Sequence, residues 1–212
     1  MTITNRSAPA SIEAPAPATI TTTAVRRTGV ALTLGATIWA AAMAAVGNNP
    51  AGDPGMMITD LGAVPFQLAL IALVTVQLRT RATGLTRVSA GLLRVEYVLL
   101  ALATIWSVMH GAVPAFRDDL WLAVLDAFWP LSMLGMAIIG VKVFFARRWQ
   151  GIARLWPMVA ESWVLVNLPV NAILGDAAVR ITGPAHLLAG YAVLGLVLAV
   201  RPALTGAAAG PR

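Results

Sequence analysis

The sequence contains no cysteine and few charged residues. Without cysteine among its 212 residues, the chain can form no disulfide, thiolate metal site or cysteine nucleophile. Only 11% of the residues are charged, against about 25% in a typical soluble domain. The chain also lacks the motifs of P-loops, dinucleotide-binding turns, zinc proteases and serine-hydrolase elbows. The sequence therefore leans against an enzyme and predicts no cofactor.

Apolar residues dominate the chain instead. They make up 58% of the sequence, and the mean hydropathy is +0.79. A soluble chain of this length could not bury so much apolar surface in one core. Each crossing of a bilayer needs about 20 mostly apolar residues. The composition therefore predicts several membrane spans, with the lipid bilayer as the first partner.

Six apolar segments predict an all-α fold, a polytopic transmembrane helix bundle of six spans. The predicted spans are Thr28–Gly47, Leu61–Leu78, Gly91–Ala112, Leu120–Ala146, Leu155–Leu174 and Ile181–Val200. Residues 28–201 then form the transmembrane domain. Residues 1–27, rich in Thr, Ala, Pro and Ser, are predicted to be a disordered cytoplasmic tail, and residues 202–212 a short one.

Several prolines and one arginine pair refine this assignment. Pro65 is expected in the first turns of the second span, and Pro130 is expected to kink or tilt the fourth. Arg26-Arg27 before the first apolar run resembles the start of a signal peptide. The long preceding tail and the near-spanning length of that run favour an uncleaved first span.

Basic residues alternate between the connections and so predict the topology. The net charge is +6. Most of the arginines lie before span one or after spans two, four and six. Only Arg117 and Arg180 fall in the other connections, which hold mainly aspartates. The positive-inside rule then places both termini in the cytoplasm of a multi-pass cell membrane protein. Because topology explains the charge, no nucleic-acid partner is predicted.

Two glutamates lie within the predicted spans at similar depth. Glu96 and Glu161 are candidates for an ion or proton pathway, because ionisable groups inside a membrane are costly. Arg94 and Lys142 enter from the same face. The alternative interpretation is that these two cations neutralise the glutamates and reach the headgroups.

Two asparagines extend the pathway candidates into the fifth span. Asn167 and Asn171 are four residues apart and share one helix face. Pro169 between them frees the carbonyl of Leu165 and distorts the helix. Such a face could bind a substrate or ion, or it could simply hydrogen-bond to neighbouring helices.

Three polar residues lie toward the opposite face of the membrane. His110, Asp126 and His186 come from different spans at similar depth and are the candidates for a metal or haem site. None of them has the sequence spacing of a metal motif. Histidines near the ends of spans also commonly meet water or headgroups.

One segment resembles a known group of membrane proteins. It reads Trp129-Pro130-Leu131-Ser132-Met133-Leu134-Gly135-Met136, followed by a basic Trp/Gly turn at residues 146–151 and a helix with Pro157 near its start. The pattern, within about residues 125–175, resembles uncharacterised actinobacterial multi-pass integral membrane proteins. The resemblance implies a helix packing pattern and a bacterial origin, and it implies no mechanism.

The sequence leaves three functional classes open. The first is a binding, regulatory or complex-subunit membrane protein, favoured because the polar residues are sparse and the loops are short. The second is a small transporter or channel-like protein that uses the buried carboxylates, and the third is an intramembrane metal or haem protein. Ala36, Ala40 and Ala44 form a small-residue stripe that permits close helix contacts within the chain, with other membrane subunits or in a homo-oligomer.

Overall fold

The protein is an all-α bundle in a computed structural model that describes residues 20–48, 50 and 52–209. The helices are α1 (Thr22–Val46), α2 (Asp53–Arg79), α3 (Arg87–Ala112), α4 (Leu120–Asp126), α5 (Phe128–Ala146), α6 (Gly151–Ala160), α7 (Trp163–Leu174), α8 (Asp176–His186) and α9 (Val193–Val200). A π-helical turn at Leu187–Ala192 joins α8 to α9. Together these helices form six segments long and apolar enough to cross a membrane, as the sequence predicts.

Most helices extend beyond the apolar runs that reveal them. α1 begins at Thr22 because the Thr21 side chain accepts a hydrogen bond from the backbone of Ala24. Residues 22–27 are therefore helical, whereas residues 1–19 of the predicted tail lie outside the described residues. α2 begins at Asp53, so Asp60 lies inside a helix and not in a loop, and Pro65 lies mid-helix and not in the first turns.

Breaks in the helix divide the fourth and fifth predicted spans, and the π-helical turn interrupts the sixth. The fourth breaks at Ala127, three residues before Pro130, whose ring removes a helix hydrogen bond. The fifth breaks at Glu161 and Ser162, and α7 continues through Pro169. Here the Ser162 hydroxyl donates to the Val159 carbonyl at 2.8 Å, a bond that bends helices.

Glycines allow α1 to pack closely against α2 and α9. A Cβ atom on Gly29 would lie 2.5 Å from the Gly195 carbonyl oxygen in α9. A Cβ atom on Gly35 would lie 2.7 Å from the Cα atom of Phe66 in α2. Small residues thus bring these helix backbones into direct contact, so the first span packs between the second and the sixth.

An aromatic cluster fills the centre of the bundle. We call it the aromatic core, and it comprises Trp39, Phe66, Trp129, Trp163 and Tyr191. Trp39 stacks on Phe66 at 5.1 Å between ring centroids and meets Trp129 edge-on at 5.3 Å. Tyr191 meets Phe66 edge-on at 4.9 Å. These contacts join α1, α2, α5, α7 and the π-helical turn around one apolar centre.

Charges separate between the two ends of the bundle. The basic end carries the arginines near the starts of α1, α3 and α6 and near the ends of α2, α5 and α9. Six aspartates lie toward the other end, which we call the acidic end: Asp53, Asp60, Asp118, Asp119, Asp126 and Asp176. At the basic end, Ala208 pairs through its backbone with Ile20 and Thr22, so the segment after α9 packs against the bundle.

The two arginines at the acidic end are both engaged. Arg117 forms an ion pair with Asp53 and donates from Nε to the carbonyl of His110 at 2.8 Å. Arg180 donates to the carbonyl oxygens of Ala44 and Ala45 at the end of α1, where the helix dipole favours a cation. Structural contacts therefore account for both exceptions to the charge alternation.

Candidate functional site

A cavity of about 400 Å³ opens at the acidic end of the bundle. Helix ends from all six spans approach it, and its lining includes three aspartates, three tryptophans and His110. The aspartates are Asp60, Asp126 and Asp176, and the tryptophans are Trp39, Trp106 and Trp129. A volume of this size accommodates a small organic molecule.

The inner part of the cavity is fixed by an ion pair between α2 and α3. The Nδ1 atom of His110 lies 2.6 Å from Oδ2 of Asp60, and both side chains are largely shielded. The His110 ring stacks on Trp106 with centroids 4.8 Å apart and an angle of 14° between the planes. Deeper still, the Gln67 side-chain amide donates to Ser107 Oγ at 2.8 Å. These contacts hold the polar groups of the inner wall in place.

The outer rim carries carboxylates that are accessible to solvent. Asp126 ends α4 and Asp176 begins α8, and both residues are exposed. Asn171, one of the predicted pathway residues, also lines this rim. No described cation lies within ion-pair distance of either rim aspartate. The rim therefore presents unpaired negative charge beside aromatic surface.

The predicted metal or haem set is not assembled. His110 and Asp126 line the cavity, whereas the His186 ring contacts the Val159 carbonyl at 3.0 Å and is not part of the lining. Across the described ranges, no group of three His, Asp or Glu side chains could hold a metal ion. Similar depth on different spans does not ensure that side chains face one another, and this explains the difference.

A second polar site lies in the bundle interior, toward the basic end. Glu96 on α3 and Glu161 at the end of α6 are each 1% exposed, and both pack against α5, at Gly135 and Gly140 respectively. The Gln77 side-chain amide donates to Glu161 Oε1 at 2.8 Å. His110 lies 14 residues beyond Glu96 on α3, so about 21 Å separates the two sites along that helix.

Glycines of α5 make room for the two carboxyl groups. A Cβ atom on Gly135 would overlap Glu96 Oε2, and one on Gly140 would lie 2.9 Å from Glu161 Oε2. Both glutamates thus pack directly against the α5 backbone. No described cation lies within ion-pair distance of either glutamate, so the alternative interpretation, in which Arg94 and Lys142 neutralise them, has no ion pair to support it.

Asn167 is separate from both sites. Its amide donates to the Trp163 carbonyl at 3.1 Å, and its carbonyl accepts from the Thr182 hydroxyl at 2.8 Å. The side chain therefore links α7 to α8 and has its hydrogen bonds supplied by neighbours. This geometry matches the hydrogen-bonding interpretation of the asparagine, and the four predicted pathway residues divide between three places.

Comparison with known proteins adds no information about either site. No family model, curated protein or solved structure matches the chain. The resemblance of residues 125–175 to actinobacterial membrane proteins thus stays a prediction.

Sequence reasoning missed three residues of these sites. Asp60 was assigned to a loop because it precedes the apolar run of the second span. Gln77 and Tyr191 were not singled out, because an uncharged side chain near the end of a span carries little signal. Glutamine at membrane depth does need a partner, and that requirement could have directed attention to Gln77.

Proposed function

We propose that this chain is a multi-pass integral protein of the cell membrane, with both termini in the cytoplasm, that binds a small organic cation in the acidic-end cavity. Large apolar side chains on the outside of the bundle support the membrane location; Ile105, Leu131 and Leu168 are about half exposed or more. So much apolar surface suits lipid better than water. The arginines at the basic end support its cytoplasmic placement.

The lining of the cavity carries the proposal for the ligand. Carboxylates at Asp126 and Asp176 supply negative charge, and the faces of tryptophan rings attract cations by about 0.5–2 kcal/mol each. His110 already occupies Asp60 at 2.6 Å, so the rim carboxylates remain for a ligand. A protonated amine or quaternary ammonium group with an apolar body matches this combination.

Binding of tetraethylammonium to the purified protein in lipid nanodiscs tests this proposal. Because three tryptophans line the cavity, bound cation is expected to change the intrinsic fluorescence in a saturable way. Asp126→Asn should weaken binding about fivefold, or ~1 kcal/mol, since the rim charge is partly screened.

Asp118→Asn is the matched control. Asp118 is an exposed aspartate of the same end that is not part of the cavity lining, so its variant should bind as the unmodified protein does. Equal weakening by both substitutions would indicate a general surface-charge effect and would contradict the cavity site. The absence of saturable binding to any alkylammonium ion would reject the cation ligand.

Ion-coupled transport is the second candidate, favoured by the buried glutamates. Trp39 and Trp129 of the aromatic core line the cavity. Tyr191 of the same core lies on the π-helical turn, which packs against Ala160 beside Glu161. This arrangement resembles a binding site closed toward the interior, as alternating access requires. Cation uptake into proteoliposomes, driven by a pH gradient, would distinguish transport from binding alone.

A further inference from the structure

Five oxygen atoms around the two glutamates are buried without a hydrogen-bond partner. They are both carboxyl oxygens of Glu96, Oε2 of Glu161, the amide oxygen of Gln77 and the hydroxyl of Tyr191. Gln77 and Tyr191 have no exposed surface. Buried polar atoms in proteins are nearly always paired, so each exception calls for an explanation.

The site has more hydrogen-bond acceptors than donors, and no described cation is paired with it. Gln77 from α2 bonds to Glu161, and the π-helical turn that holds Tyr191 packs against Ala160, the residue before Glu161. Glu96 from α3 packs on the same face of the site at Gly135 of α5, and of these four residues only the two glutamates and Tyr191 can ionise. Of the five atoms, only the Tyr191 hydroxyl carries a hydrogen to donate. Two adjacent carboxylates without a counter-charge would be strongly unfavourable in this interior.

We propose that Glu96 and Glu161 form a proton-binding pair inside the membrane, with Gln77 and Tyr191 as its polar partners. Each carboxyl group holds a proton in the closed state and releases it to water when the site opens. Two protons remove the two buried negative charges and turn two of the five unpaired oxygens into potential donors. The inference concerns protons at this site and does not depend on the ligand of the acidic-end cavity.

The backbone around the pair is irregular in two places. The fifth span breaks at Glu161 itself, and Tyr191 lies within the π-helical turn of the sixth span. Single π-helical turns are frequent at functional sites, and coupling-ion sites of transporters lie where spanning helices are discontinuous. The irregular segments also give the site a means of opening to water.

Infrared spectroscopy of the full-length protein in lipid nanodiscs tests the proposal directly. Protonated carboxyl groups give a C=O stretch distinct from that of carboxylates, and the band shifts in D₂O. We expect this band at neutral pH in the unmodified protein. Glu96→Gln and Glu161→Gln should each remove about half of it, since each replaces one protonated carboxyl with a neutral amide of similar shape.

Control variants separate this site from the cavity. Asp118→Asn and Asp126→Asn should leave the band unchanged. A spectrum without the band at neutral pH, or a band that neither glutamine variant reduces, would overturn the proposal. A band that appears only when N-methylglucamine replaces Na⁺ would show that Na⁺ occupies the site, which would also overturn it.

Gly135→Ala provides a second variant that changes no ionisable group. Its Cβ atom would overlap Glu96 Oε2, so the Glu96 carboxyl must move. We expect the Glu96 part of the band to shift in frequency while the Glu161 part stays. An unshifted spectrum would contradict the placement of a protonated Glu96 against α5. This readout does not depend on either glutamine variant folding.

Discussion

Replacing Gly195 by alanine tests the closest helix contact in the bundle. The new Cβ atom would overlap Thr33 Oγ1 and would lie 2.5 Å from the Gly29 carbonyl oxygen and 2.7 Å from the Thr33 backbone nitrogen. Ordinary contacts between carbon atoms are about 3.5–4.0 Å. Two of the three atoms belong to the α1 backbone and cannot rotate away. α1 and α9 would therefore have to separate by about 1 Å.

The expected cost follows from two opposing effects. Overpacking a tight interior costs about 1–3 kcal/mol, and alanine recovers at most about 1 kcal/mol through its higher helix propensity. Separation would also lengthen the bond from the Thr33 hydroxyl to the Ala192 carbonyl, which is 3.1 Å and worth about 0.6 kcal/mol. We expect Gly195→Ala to lower the free energy of unfolding by about 1–2 kcal/mol.

Reversible unfolding in mixed micelles, followed by tryptophan fluorescence, measures this change. Gly91→Ala is the matched control, because a Cβ atom on Gly91 in α3 would meet nothing within 4 Å. That variant should be unchanged or up to about 1 kcal/mol more stable. If Gly195→Ala is as stable as Gly91→Ala, the close approach of α1 and α9 is not present in the folded protein.

Three further outcomes are expected. Because the chain has no cysteine, single cysteines report topology: a membrane-impermeant maleimide added to intact cells should label Asp118→Cys and not Leu85→Cys, and the reverse pattern would contradict the proposed orientation. Asp60→Asn should lower the free energy of unfolding by about 1–2 kcal/mol, since it leaves His110 without its charged partner, and equal stability in a thermal melt would show that the pair contributes nothing. Trp149→Phe should cost about 1 kcal/mol through loss of the indole hydrogen bond to Thr80, the residue that follows α2; a smaller loss than for a surface tryptophan would refute that role.

Hydropathy predicted six helices long and apolar enough to cross a membrane, because an apolar run of about 20 residues marks each of them. It could not predict where the helices begin, since polar caps and charged first turns add residues outside the apolar run. Asp60 shows the consequence. Its position before an apolar run suggested a loop, whereas α2 starts seven residues earlier, at Asp53, and places it on the cavity wall.

Position along a helix was predictable, and direction around the helix was not. Glu96 and Glu161 were expected at similar depth, and the structure does bring them together. His110 and His186 were also grouped by depth, yet they face different neighbours. The difference depends on helix packing, which glycine contacts such as Gly135 against Glu96 determine and which hydropathy does not record.

The backbone pairing of Ala208 with Ile20 and Thr22 connects the two ends of the helical domain. The first and last described segments of the chain therefore lie side by side. A short peptide joining residues 208 and 20 would span little distance, and new ends could be opened in the exposed connection at residues 118–119. Such a circular permutant should keep every helix contact of the parent while its termini emerge on the opposite face of the bundle.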